Sequence, residues 1–262
     1  MRKSGFNIRL LIGVAIALFA VVKYCSNSEV NPYTGKKQHI SISPKEEVAI
    51  GLSSAPQMAQ QHGGLHPNAQ YQQIVDVIGS KLVNNSIAKK SGYPFEFHLL
   101  RDENTINAFA LPGGQVFITM ALFGRLVNED GRLNEDMVAG VLGHEIGHVI
   151  GRHSAERMAK QELTQGLLSG AAVGFDPNTA QGAAVIANAV NMKYGREDEL
   201  ESDDLGVRLM VKSGYDPRYL INVMEILKQA AGPNRVPEFQ STHPDPENRI
   251  EKIKEAIKKY KK

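Results

Sequence analysis

The chain has 262 residues, a single cysteine, 30 basic against 28 acidic side chains and a formal net charge of +2. One cysteine excludes an internal disulfide and a cysteine-ligated metal site. Balanced charge without a basic, aromatic-laced stripe gives no footprint for nucleic acid. With 42% hydrophobic residues, there is apolar material for one well-formed core.

Arg2, Lys3 and Arg9 precede an unbroken apolar run, Leu10 to Val22, which is followed by Lys23, Tyr24 and Cys25. The run has the length of a signal-peptide core. Extended to Phe6 through Tyr24, with Arg9 and Lys23 reaching for the interfaces, it can cross a thin bilayer. Residues 1–25 therefore read as a signal peptide or an N-terminal membrane anchor, basic end cytoplasmic and the remainder across the membrane. Tyr24 stands where a lipobox needs a small residue, which counts against acylation of Cys25. Residues 26–42 carry Asn-Pro and Thr-Gly turn signals and read as a tether, and residues 43–262 as one domain.

Ser43-Pro-Lys-Glu46 is a capping box with proline at the first helical position and starts a helix. A second helix is predicted from about Asn68 to Ala88, its apolar face formed by Tyr71, Ile74, Val77, Ile78 and Leu82. Strands follow over 95–101 and within 107–118, the latter interrupted by a Pro-Gly-Gly turn. Nearly everything later reads as helix. The fold class is α+β, mostly helical, with a small β-sheet beside the helix described next.

That helix carries His144-Glu145-Ile-Gly-His148. Histidines at i and i+4 lie on one helical face a turn apart, so both imidazoles reach one ion, and Glu145 beside the first serves as general base. Val138, Val141, Leu142, Val149 and Ile150 make the helix apolar, and Asn134, Glu135 or Asp136 begins it. Three polar groups on a buried helix are costly unless something binds them, and a metal does so. Histidine and carboxylate ligands indicate one zinc per chain. A metzincin would place its third histidine at position 154, but Ser154 stands there. His153 is one residue early, about 100° around a helix, and is not that ligand. The remaining option is a carboxylate from a second helix. The acid-dense stretch Arg196-Glu-Asp-Glu-Leu-Glu-Ser-Asp-Asp204 offers three candidates, Glu197, Glu199 and Glu201. Gly166 to Val190, rich in Gly and Ala around Asp176-Pro-Asn178, reads as a helical pair between the two metal-bearing helices rather than a membrane hairpin.

Three segments resemble the HtpX-like and CAAX-prenyl-protease-like zinc metalloendopeptidases, a gluzincin family. They are His144 to His153, Glu199-Leu-Glu-Ser-Asp203 and Ser213-Gly-Tyr-Asp-Pro217. The resemblance implies a zincin-like fold and peptide hydrolysis with Glu145 as base. It implies His144, His148 and Glu201 as metal ligands, Glu201 being the glutamate directly before Ser-Asp, and Asp203 as a carboxylate that orients an imidazole. The remaining acids Glu197, Asp198 and Asp204 are expected on a solvated face. Asn107 to Ile118 is similar to the family's strand pair along the cleft, which makes Asn107, Ala108, Phe109, Gly113 and Gly114 candidate substrate contacts. Ser241 to Ile250 resembles a loop that returns to the metal, where His243 is a candidate cap and Arg249 an ion-pair anchor. The implied partners are protein or peptide substrates, misfolded or membrane-associated, at the bacterial cell envelope. The rival reading is a non-catalytic, zinc-stabilised client-binding factor.

Overall fold

The computed structural model describes residues 8–174, 195–230, 239, 242–243 and 248–261. In chain order its elements are α1 (Ile8–Ser26), β1 (Ser28–Val30), β2 (Lys37–His39), α2 (Pro44–Gln61), α3 (Ala69–Asn84), β3 (Glu96–Leu100), β4 (Ala108–Ala110), β5 (Gln115–Thr119), a one-turn α4 (Met120–Phe123), α5 (Glu135–Ile150), α6 (His153–Gly174), α7 (Arg196–Lys212), α8 (Tyr219–Ala230) and α9 (Arg249–Tyr260). The expected α+β, mostly helical class holds.

The chain divides into two compact units, one of residues 1–42 with 155–192 and one of 43–154 with 193–262. The first holds α1, the β1–β2 hairpin and nearly all of α6. Here the expected tether is corrected: Ser28–Val30 pairs antiparallel with Lys37–His39. The Asn31 carboxamide caps the connecting turn by accepting from Tyr33 N and Thr34 N, and Gly35 supplies the left-handed residue at φ 74°. Buried Gln38 donates to Glu156 Oε2 at 2.9 Å, tying the hairpin to α6 rather than leaving it a spacer. The middle and second half of the expected Gly166–Val190 helical pair lie outside the described residues.

The second unit is built on a three-stranded sheet in the order β3-β5-β4, with β3·β5 parallel and β4·β5 antiparallel. β5 is buried along its whole length. The Ser43–Glu46 capping box starts α2. In α3 the predicted face is rotated: Val75, Ile78 and Leu82 are buried, whereas Tyr71 and Val77 are exposed. Helix α5 begins at Asn134, whose side chain accepts from Met137 N at 3.0 Å, and from Met137 to Ile150 every residue is buried. Its main partner is α7. The two approach at contacts only glycine permits: a Cβ at Gly147 would stand 2.8 Å from Ser202 O, and one at Gly206 3.1 Å from His144 N. Helix α9 is held at its C-terminal end, where Lys259 and Tyr260 both bond to Asp204.

Candidate active site

The α5–α7 contact sets which acid faces the histidines. Because α7 meets α5 along Ser202 and Gly206, the residue one turn before Ser202, Glu199, is aimed at the His144–His148 face. His144 Nε2 and His148 Nε2 lie 3.0 Å apart. The Glu199 carboxylate is 3.4 Å from each. This corrects the expectation for Glu201. Two residues further along α7 is about 200° around the helix, and Glu201 instead meets His153 Nε2 at 2.9 Å.

His243 completes the cluster. Its Nδ1 is 3.0 Å from Glu199 Oε1 and 3.4 Å from His144 Nε2. One ligand atom from each of His144, His148, Glu199 and His243 lies within 4.8 Å of the other three, and all four side chains are buried. Glu145 flanks them, 3.8 Å from His243 Nε2. It is 1% exposed, and neither of its carboxylate oxygens has a hydrogen bond among the described residues.

The outer nitrogens of both imidazoles are held. His144 Nδ1 meets Asp203 Oδ1 at 2.8 Å, and Arg249 grips Asp203 with Nε at 2.7 Å and Nη2 at 3.0 Å. A carboxylate that accepts a ligand histidine's N–H fixes its tautomer and leaves the other nitrogen's lone pair for a metal. His148 is held by a second histidine: its Nδ1 is 2.9 Å from His153 Nδ1. One proton suffices between them. His148 donates, His153 accepts, and His153 Nε2–H donates to Glu201. The sequence reading had set His153 aside as a non-ligand and missed this role. Its signal is a histidine directly after Gly151-Arg152, where Arg152 at φ 56° reverses the chain so that the first residue of α6 points back at α5. Buried Arg152 is secured there by Glu47, which also accepts from Tyr93 OH.

Burial would depress both ligand imidazoles. At His144 the hydrogen bonds to Asp203 and Glu199 outweigh it and bring the pKa up to about 9, while His148 is pushed well below its ordinary value. Burial raises the Glu145 carboxyl. At Glu199 burial acts in the same sense, but the charges of His243 and His148 hold the carboxyl well below the usual range. Two imidazole nitrogens, a carboxylate and a third imidazole in a buried cluster are a zinc donor set, and the unsatisfied oxygens of Glu145 are what a proton-transferring group beside it requires. The residues fit the metal.

Of the expected substrate contacts, β4 forms an edge of the sheet. Phe109 pairs with Phe117, and Asn107 accepts from Thr119 N through its carbonyl and donates its own N–H to Thr119 Oγ1. By antiparallel alternation the main-chain groups of Ala108 and Ala110 face outwards. The next outward residue, Ile106, already accepts from Phe239 N at 3.3 Å, on the segment that carries His243. Gly113 and Gly114 serve the turn instead: both have positive φ, and a Cβ at Gly113 would lie 2.4 Å from Val48 Cα. Of the acids expected in solvent, Asp198 is buried and accepts from Gly195 N at the start of α7, whereas Glu197 is exposed.

Residues 69–257 match peptidase family M48. The chain is 28% identical over 242 residues to the mitochondrial metalloendopeptidase OMA1 of Schizosaccharomyces pombe, covering 90% of this chain and 68% of that one. It is 33% identical over 189 residues to the beta-barrel assembly-enhancing protease of Escherichia coli, covering 68% and 37% respectively. It is 33% identical over 188 residues to OMA1 of Saccharomyces cerevisiae, covering 68% and 50%. The chain thus spans about two thirds of the first relative and little more than a third of the second.

Proposed function

From its membership of peptidase family M48, which makes this chain a zinc metalloendopeptidase, we propose that His144, His148 and Glu199 hold the zinc and that Glu145 moves the proton in peptide hydrolysis. The observation that carries this reading is the convergence of two imidazole Nε2 atoms and one carboxylate beside a buried carboxylate with no hydrogen bond among the described residues. Bound zinc supplies Lewis acidity, polarising a carbonyl oxygen and making water acidic near neutral pH.

The protein's own residues do the rest. Glu145 takes a proton from the attacking water and returns it to the leaving amine, and its burial raises its proton affinity for that task. Asp203, clamped by Arg249, fixes His144, and the Glu201–His153 pair fixes His148. The outward edge of β4 at Ala108 and Ala110 receives an extended peptide by main-chain hydrogen bonds, a mode tolerant of sequence. With zinc bound, His243 would be a fourth ligand in a resting state and would give way to substrate. The client-binding rival is disfavoured, since a purely structural site gains nothing from burying a Glu145 carboxylate that has no hydrogen bond among the described residues.

The substrates we propose are misfolded or membrane-associated proteins at a bacterial envelope. Supporting this are the relative from Escherichia coli, named for beta-barrel assembly, and helix α1, the one described helix long and apolar enough to cross a membrane. Chelation tests the hydrolytic reading. Stripping the metal should abolish cleavage of an unfolded protein such as casein, and one equivalent of zinc should restore it; cleavage that persists in the stripped protein would overturn it.

A further inference from the structure

On the reading of α1 as a membrane anchor, we propose that α6 enters the bilayer beside it. The lipid-embedded element is then a helix pair, with Gly166 to Val173 immersed beside the apolar run of α1. Most of α1 is bare: Leu11, Ile12, Val14, Leu18, Phe19 and Val22 are all exposed. One stripe is covered, in which Gly13 is buried and Ile16, Ala17 and Ala20 are half-buried, at the spacing of a single helical face.

What covers it is α6. A Cβ at Gly166 would stand 2.4 Å from Ala20 Cβ, and one at Gly170 2.5 Å from the Gly13 carbonyl oxygen and 3.1 Å from Ala17 Cβ. The helices run antiparallel, each presenting a small-x-x-x-small pair: Gly13 and Ala17 on α1, Gly166 and Gly170 on α6. A water-driven contact gains most from large apolar side chains. In lipid that drive is absent, and close backbone approach through small residues takes its place.

Two further features point the same way. The charges collect at one end, where Glu162 accepts from Lys23 Nζ at 2.9 Å and from Ser41 Oγ at 3.0 Å. From Leu163 to Val173 α6 has no charged residue. Its two hydroxyls in this region close on their own helix, Thr164 Oγ1 onto Lys160 O and Ser169 Oγ onto Gln165 O, each at 2.8 Å, which satisfies them without water. Leu167 and Val173 are meanwhile exposed. At about 1.5 Å per residue, Glu162 to Val173 descends roughly 16 Å, half of a ~30 Å hydrocarbon core.

The test uses the full chain with Cys25→Ser in intact membranes, with single cysteines at Gln161, Leu167, Val173 and Phe19 and an impermeant maleimide as probe. Position 161 should label at once, and positions 167, 173 and 19 only after detergent. Rapid labelling at 167 and 173 with 19 still protected would overturn the helix pair and leave the anchor standing; labelling at 19 as well would overturn both. Gly170→Ile, which collides with Gly13, should unmask 167 and 173 while 19 stays protected. Unchanged protection in that variant would overturn the seam as the reason α6 is held in lipid. No readout depends on proteolysis, so the result is independent of the hydrolytic reading.

Discussion

Exchanging the two neighbouring acids of α7, Glu199→Gln in one variant and Glu201→Gln in another, separates a metal ligand from a residue that acts through one. Glu199 lies 3.4 Å from both ligand imidazoles, so its loss removes one protein ligand. Structural zinc sites with four ligands bind with about 10–16 kcal/mol, roughly 3–4 kcal/mol per ligand, so Glu199→Gln should weaken zinc binding roughly 10²- to 10³-fold. Glu201 is not among the four clustered ligand residues; it meets His153 Nε2 at 2.9 Å. A glutamine there still accepts that hydrogen bond and loses only the charge. Changes behind a ligand histidine typically cost about 10–100-fold, and the conservative amide belongs at or below the lower end. Competition against a chromogenic chelator at fixed pH reads both affinities, and the metal-free melting temperature guards against misfolding. If Glu201→Gln stripped the zinc while Glu199→Gln kept it, the assignment from helix phase would be wrong.

Arg249→Met should destabilise the fold by about 3–5 kcal/mol, because it leaves Asp203 as a buried charge without its cation; a denaturant midpoint equal to wild type would refute this. His243→Ala should raise the initial rate of casein cleavage with zinc content unchanged, and an unaltered rate would remove the resting-cap reading. Asp102 gives a pH signature away from the metal. Burial raises its carboxyl, but hydrogen bonds from Thr105 and Asn104 and the contact with His62 outweigh that and bring it to about 2. With the folded value depressed, its contribution is complete above the unfolded value near 4 and lost as pH falls from about 4 to 2. Asp102→Asn should flatten stability in that window, and an unchanged acid limb would contradict it.

The helix around His144 and His148 was legible because its signal is local: a capped start, an apolar run and ligands one turn apart. The third ligand was not. The acid-rich stretch announces a helix with several carboxylates, but which one faces α5 depends on the helix's rotation, and Gly147 against Ser202 and Gly206 against Gly143 fix that only after docking. The His153 contact was hidden for a similar reason. It needs a left-handed turn at Arg152, a residue type that gives no hint of positive φ. The β1–β2 hairpin was mistaken for a tether because three-residue strands with polar side chains show no alternation to read. In α3 a run of apolar residues longer than one face left the buried stripe ambiguous, and packing chose Val75 over Tyr71 and Val77.

The central claim is that Glu145 transfers the proton beside a zinc it does not bind. Wild type and Glu145→Gln, compared on casein with zinc measured in the same samples, test it most directly. We expect about one zinc per chain in both and a loss of at least roughly 10²-fold in rate in the variant alone. Comparable cleavage by the variant, or zinc lost along with activity, would contradict the account.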